Sequence, residues 1–463
     1  MQVLIPKPYE PLSHQVAAAK FLVSHPAAGV FMDVGWGKTT AALSALRVLH
    51  QKKLVRRTLV ITKKRICELV WPRQPKEWTQ FRYMSVVFLH GKDRNKLVQQ
   101  EHHIYCINPE GFGWLVDNGW LDDDRFDLLI VDESTIYKHS NTQRFKLLKN
   151  NLDKFKRRWI MTGEPAPNGL IDLFGQIYIL DFGAALGEYV TRYRNNFFYP
   201  SGYGGYTWEL QAGAEERIYA RLDGLVCRPL ADPRLKLPKV VFNTVKFELS
   251  DEAREVYSEL EKKMRVMIEG TKIIAKNGAV VTGQCRQMTG GAIYKNVRTN
   301  KTEWLWLHDE KLNLLAELVD ELAGKPLLVF YEFDHERQRI IERFKHIAVE
   351  FSDKNLLEVE RRWNNGEITM LPVHPGSFGR GLNLQKACSH ACWFTMPWDL
   401  ELYKQGNGRL ARQGAARGRV TIHHLVAEDT IDEYVAGVLI SKERTQNALK
   451  KALETMFSKR GER

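Results

Sequence analysis

Residues 29–40, GVFMDVGWGKTT, combine the residue types needed to hold a polyphosphate. The apolar run at 29–32 breaks at Gly35, Trp36 and Gly37, and Lys38, Thr39 and Thr40 open the helical pattern AALSALRVLH. Glycines let successive backbone N–H groups curl around an anion, and the positive end of a helix dipole adds to them. Lys38 supplies a mobile cation for β- and γ-phosphates, and the Thr39 hydroxyl suits Mg2+. In the strict pattern G-x-x-x-x-G-K-[ST] the first glycine falls at Met32, so this stretch alone also fits a purely structural strand-to-helix turn.

Two further sets could work with it. Asp132-Glu133 directly follows the apolar run LLIV. An aspartate there holds Mg2+ through water, and an adjacent glutamate can take a proton from the water attacking a γ-phosphate. The plain alternative is an aspartate capping the next helix. Gln405, Arg409 and Arg412 recur at i, i+4 and i+7, which on a helix is one face. Paired guanidiniums can stabilise transition-state charge on a γ-phosphate, and a solvated basic face is the alternative.

These residues need elements to position them. Apolar runs at 58–62, 85–89, 104–107, 128–132 and 158–163 alternate with helical or loop segments, which predicts a parallel sheet covered on both faces. Ligands on such sheets bind at the strand C-terminal ends, where Gly35 and Asp132 stand. A second series at 327–331, 346–351, 368–373, 390–396 and 420–426 predicts another parallel sheet without a glycine-lysine turn of its own. The expected fold is α/β: a first lobe at 1–175, a mostly helical insertion at 176–310, a second lobe at 311–430, and C-terminal helices with a basic tail at 431–463. Between the lobes, 192–210 (RYRNNFFYPSGYGGYTWEL) interleaves aromatic and basic residues, which suits either stacking on bases or a self-packed hairpin.

Lys plus Arg total 68 against 55 acids, a net charge of +13, which favours a polyanionic partner. Arg144, Lys146, Lys149, Lys154, Lys156, Arg157 and Arg158 cluster against the single acid Asp153. The six cysteines contain no C-x-x-C pair, and Cys388, His390 and Cys392 alternate as a strand edge does, so reduced thiols in a cytoplasmic protein are expected rather than a metal centre. No secretory signal or apolar run of spanning length is visible.

Together, GWGKT, VDEST, MTGEPAPN, GLNLQKA and QGNGRLARQG resemble motifs I, II, III, V and VI of the superfamily-2 helicase-like ATPases. The nearest branch is the Swi/Snf type, in particular its compact phage and bacterial members. The segment LVITKKRICELVWPRQPKEW is similar to that branch's motif Ia, and the resemblance runs from about residue 9 to about residue 450. Members commonly carry the incomplete first motif seen at Met32. Ser134 and Thr135 replace the usual Ala-His of motif II, and Glu164 replaces the usual Thr of motif III.

The resemblance implies two RecA-like lobes, ATP and Mg2+ as cofactors, and hydrolysis stimulated by nucleic acid. It implies that Gln15 recognises adenine, that Gly35, Trp36, Gly37, Lys38, Thr39 and Thr40 hold the nucleotide, and that Thr39 and Asp132 fix Mg2+. Lys38, Glu133, Arg409 and Arg412 become the catalytic set, and Thr162, Gly381, Asn383 and Gln405 couple the nucleotide to nucleic acid. The implied partner is double-stranded DNA, bound by a monomer in the cytoplasm of a bacterial host, with protein partners from a replication or repair complex. A strand-separating DNA or RNA helicase, or a nucleic-acid scaffold with a vestigial ATPase, fits the same motifs.

Overall fold

The computed structural model describes residues 6–122, 124–201, 207–235, 237–270, 283–295, 303–350, 352, 355–376, 384–411, 415 and 418–443. The chain divides into two compact units, one built mainly from 1–235 and the other mainly from 236–441.

The first unit is organised on a seven-stranded sheet. Its strands are β1 (Ala27–Phe31), β2 (Thr58–Ile61), β3 (Val86–Phe88), β4 (Ile104–Ile107), β5 (Leu128–Asp132) and β6 (Arg157–Thr162), joined after a hairpin β7 (Phe198–Ser201) and β8 (Thr207–Leu210) by the short β9 (Val226–Cys227). The order is β3-β4-β2-β5-β6-β1-β9, and every pairing is parallel. Alternate side chains serve opposite faces: Leu59, Ile61, Leu129 and Val131 enter one apolar cluster, and Val60, Leu128 and Ile130 the other. A strand buried on both sides has no polar face, which is why these runs are continuously apolar. Helix α1 (Ser13–Ser24) packs on α2 (Lys38–Gln51), and both cover the β1 side.

The second unit carries a five-stranded parallel sheet in the order β10-β16-β15-β13-β14, from β10 (Lys239–Phe247), β13 (Leu327–Phe330), β14 (Met370–Val373), β15 (His390–Trp393) and β16 (Arg419–Ala427). A separate hairpin joins β11 (Ala292–Tyr294) and β12 (Trp304–Trp306). The helix Glu310–Glu321 sends Leu312, Leu315 and Leu318 into the core beside Leu327 and Val329.

Three expectations change here. Of the run expected at 346–351, residues 346–350 form no strand and 351 lies outside the described residues: the chain turns out of the helix Asp334–Arg343 and touches the sheet at a single bridge, Ala348 to Met370. The fifth strand is β10, an edge strand whose side chains are mostly solvent-facing, so KVVFNTVKF lacks the apolar continuity of its neighbours. Residues expected between the lobes therefore give a strand to each sheet, and the boundary between compact units falls at 235/236.

The aromatic stretch at 192–210 forms the end of the helix Val190–Phe197 and the β7–β8 hairpin, with 202–206 outside the described residues. Tyr193, Phe197 and Phe198 are buried, and the Tyr193 hydroxyl donates to the Leu170 carbonyl at 2.8 Å. The basic cluster is largely occupied locally. Lys154 and Lys156 pair with Asp122 and Asp124, Arg157 donates to the Val23 carbonyl, and Arg158 to those of Phe155, Ile179 and Leu180. All six cysteines are free and buried, and among the described residues no three His, Cys, Asp or Glu side chains group as a metal site. No helix among the described residues is long and apolar enough to cross a membrane.

Candidate active site

The glycine turn lies at the C-terminal end of β1. Gly35 and Gly37 adopt φ of +85° and +83°, conformations that glycine reaches without strain. Gly37 is needed for space as well, because a Cβ there would stand 2.2 Å from Gln15 Nε2. The helix α2 begins at Lys38, whose ammonium donates to the Met32 carbonyl at 3.0 Å. Met32, where a strict motif would have glycine, thus lends its backbone carbonyl to the lysine and buries its side chain in the core. Thr40 is buried and donates its hydroxyl to the Gly37 carbonyl at 2.8 Å, while Thr39 is half-buried in the same first turn.

Helix α1 grips this turn from the side. The Trp36 carbonyl accepts from Gln15 Nε2 and His14 Nε2, each at 3.0 Å. His14 Nδ1 accepts the backbone N–H of Asp232 at 3.1 Å, so the proton lies on Nε2, and burial holds this ring below the usual histidine range. Gln15 Oε1 accepts from the Tyr9 hydroxyl and the Leu12 N–H, leaving one Nε2 hydrogen beyond the bond to Trp36. Arg228, just after β9, donates to Asp33 at 2.6 Å and to the Phe31 carbonyl, and lies 5.1 Å from the Trp36 ring centroid.

Asp132 ends β5, two strands from β1, and is buried. Trp71 donates its indole N–H to Asp132 Oδ2 at 3.0 Å. Burial pushes the Asp132 carboxyl up to about 6, the neighbouring Glu133 charge adds to this, and the Lys38 ammonium opposes it. Glu133 has φ +57°, ψ +58°, a left-handed conformation that a glutamate seldom takes. Such strain persists where the surrounding structure holds it, often at functional sites. Two adjacent carboxylates beside a lysine and a glycine cradle fit the Mg2+ complex of a nucleoside triphosphate, because the cation relieves the repulsion that burial magnifies.

Motifs II and III are joined by a residue outside both. Ser134 donates to Gln176 Oε1 at 2.7 Å, and Gln176 Nε2 donates to the Pro165 and Asp172 carbonyls at 2.6 and 2.9 Å. Thr162 ends β6, fully buried, and its hydroxyl accepts the Glu164 N–H at 3.1 Å.

In the second unit the arginine stripe differs from expectation. The helix Leu400–Asn407, capped by the Asp399 carboxylate, includes Gln405 but stops before Arg409. Gly406 and Gly408 weaken the helix in QGNGR, and Arg409 follows in a turn, its N–H bonded to the Gly406 carbonyl. Gln405 donates to Glu401 at 2.8 Å, and Arg409 is buried. Arg412, Gly381 and Asn383 lie outside the described residues.

Trp71, Gln176, Arg228 and His14 escaped the sequence reading. Only Trp71 had a signal, its place in the segment similar to motif Ia.

An SNF2-related domain model matches residues 14–289, and a helicase conserved C-terminal domain model matches 310–414. The chain belongs to the SNF2-related family of helicase-like ATPases. A relative at 32% identity is putative protein p41 of Acyrthosiphon pisum secondary endosymbiont phage 1, aligned over 98% of this chain and 100% of that protein. The human DNA annealing helicase and endonuclease ZRANB3 is 25% identical over 70% of this chain, and the alignment spans 29% of ZRANB3. The Sulfolobus solfataricus SWI2/SNF2 ATPase core in complex with dsDNA aligns over 99% of this chain and 97% of its own at 18% identity, with a TM-score of 0.43. As an SNF2-related protein the chain is an ATP-dependent helicase-like motor, and its two parallel sheets are the two RecA-like lobes of that family.

Proposed function

We propose that this chain is a translocase that moves along duplex DNA in the cytoplasm of a bacterial cell and hydrolyses ATP faster when DNA is bound. The observation that carries the nucleotide half of this reading is the Lys38 ammonium on the Met32 carbonyl beside the buried Asp132 and its half-buried neighbour Glu133, at the strand ends of one sheet. In this reading Gly35, Gly37 and the first turn of α2 wrap the phosphates, and Lys38 exchanges the Met32 carbonyl for phosphate oxygens. Gln15 offers its remaining Nε2 hydrogen to adenine. Thr39 and Asp132 hold Mg2+, which neutralises the charge of the terminal phosphates. Glu133, held in its left-handed backbone conformation, orients the attacking water or takes its proton. Arg409 and Arg412 supply guanidinium charge during hydrolysis.

The DNA half is supported by the net charge of +13 and by the relative named a DNA annealing helicase and endonuclease. Contacts to phosphates rather than base edges make such binding weakly sequence-specific and strongly salt-dependent. The test measures ATP hydrolysis with duplex DNA, single-stranded DNA and RNA at two salt concentrations, together with triplex displacement. Preferential stimulation by duplex, lost at high salt, with displacement of the third strand and no unwinding, supports the proposal. Release of a labelled duplex strand identifies a strand-separating helicase, and wild-type single-turnover rates in both Glu133→Gln and Arg409→Ala overturn the catalytic assignment.

A further inference from the structure

The Trp71 indole N–H donates to the Asp132 carboxylate and reaches it from 61 positions earlier in the chain. It follows the π-helical turn Ile66–Val70, and its own N–H bonds to the Ile66 carbonyl at 3.2 Å, the i to i+5 spacing of that turn. Such single π turns inside helical segments recur at functional sites, because the extra residue shifts every later side chain around the axis. Trp71 is completely buried and shares an apolar cluster with Cys67, Val60, Ile130 and Met161. An indole in such a place satisfies packing with its ring, but its N–H is a donor only and must meet an acceptor. The acceptor here is a carboxylate oxygen at 3.0 Å, within ordinary hydrogen-bond length.

We infer that Trp71 is a positioning residue for the Mg2+–nucleotide site: its indole N–H fixes the rotation of the Asp132 carboxylate and so presets the oxygen offered to the cation. The inference rests on the reading of Asp132 as the Mg2+-holding residue. A carboxylate on a strand end can rotate about its terminal torsion, a broad and nearly two-fold well. A donor locked in the core removes that freedom before the cation arrives. Outer partners of metal-holding side chains commonly contribute 10- to 100-fold in metal affinity in this way. Phenylalanine at the same position keeps an apolar ring in the cluster and removes the donor.

The experiment titrates Mg2+ into wild type, Trp71→Phe and Asp132→Ala with a fluorescent, non-hydrolysable ATP analogue, reading nucleotide affinity with and without the cation. Trp71→Phe should need about 10-fold more Mg2+ for half of the affinity gain, with Mg2+-free affinity unchanged. Asp132→Ala should lose the gain. If Trp71→Phe keeps the wild-type Mg2+ dependence while Asp132→Ala loses it, the inference is overturned and the reading of Asp132 stands. If Asp132→Ala also keeps it, that reading fails and the inference with it. An equal loss of affinity with and without Mg2+ in Trp71→Phe marks a packing role alone and overturns the inference. Should Trp71→Phe fail to fold, Trp71→Met is titrated in its place, since a flexible thioether fills an irregular gap without donating.

Discussion

Ser134, directly after the Asp-Glu pair, donates its hydroxyl to Gln176 at 2.7 Å, although 42 residues separate them. Both side chains are completely buried, and Gln176 passes the connection on to the carbonyl of Pro165. Removing the serine hydroxyl leaves a buried amide oxygen without its donor. Ser134→Ala should therefore cost about 1–3 kcal/mol in stability. Gln176→Leu strands two carbonyls as well and should cost more. Urea denaturation of the two variants checks the order, and equal stability of Gln176→Leu and wild type would contradict it.

Gly37→Ala places a Cβ 2.2 Å from Gln15 Nε2 and strains a φ of +83°. Nucleotide affinity should fall at least about 10-fold, a change of roughly 1.4 kcal/mol. Adding Gln15→Ala removes the contact with Gln15 but leaves Thr40 Oγ1 at 2.8 Å and the backbone strain, so the double variant should recover part of the loss when read against Gln15→Ala alone. Fluorescent-nucleotide titration of the three variants completes the cycle.

Lys311, 1% exposed, donates to Asp432 at 2.7 Å, and the same carboxylate accepts from Thr289 Oγ1 and the Ala427 N–H. Truncating one member strands a buried charge, so Lys311→Met should cost about 3–5 kcal/mol. Lys311→Met with Asp432→Asn should lose less than Lys311→Met alone. Chemical denaturation decides the sign of that difference.

His335 is fully buried among Phe333, Tyr294 and Trp304. Burial first, and the Arg339 guanidinium second, hold it down to about 3 against an ordinary 6.5, while Asp334 opposes them. Because the folded value is depressed, the unfolded chain takes up the proton first as pH falls. The stabilisation is present above pH 6.5 and is lost as pH drops toward 3. At pH 5.5 the loss from this ring should be about 1.4 kcal/mol relative to neutral pH. His335→Phe should flatten that part of the dependence, measured by denaturation at pH 7.5 and 5.5.

The sequence by itself determined what is local. A glycine turn, a lysine and the start of a helix are contiguous, so the strand-turn-helix at residues 35–40 was legible in the sequence. The apolar runs of β1, β2, β4, β5 and β6 were legible because strands buried on both faces leave no position for polar residues. Asp132-Glu133 was legible for the same reason, as the first charges after such a run. Tertiary structure alone decided what depends on chain ends meeting. The Trp71 donor on Asp132, Gln176 between two motifs, and Arg228 on Asp33 join residues 42 to 195 positions apart, and no periodicity encodes such pairs. The same holds for β10, whose exposed edge weakens its apolar pattern, and for Arg409, where two glycines end the helix that spacing alone would continue. Local propensity sets which segments can form elements, while the competition among packed neighbours sets where each one stops and what its side chains hold.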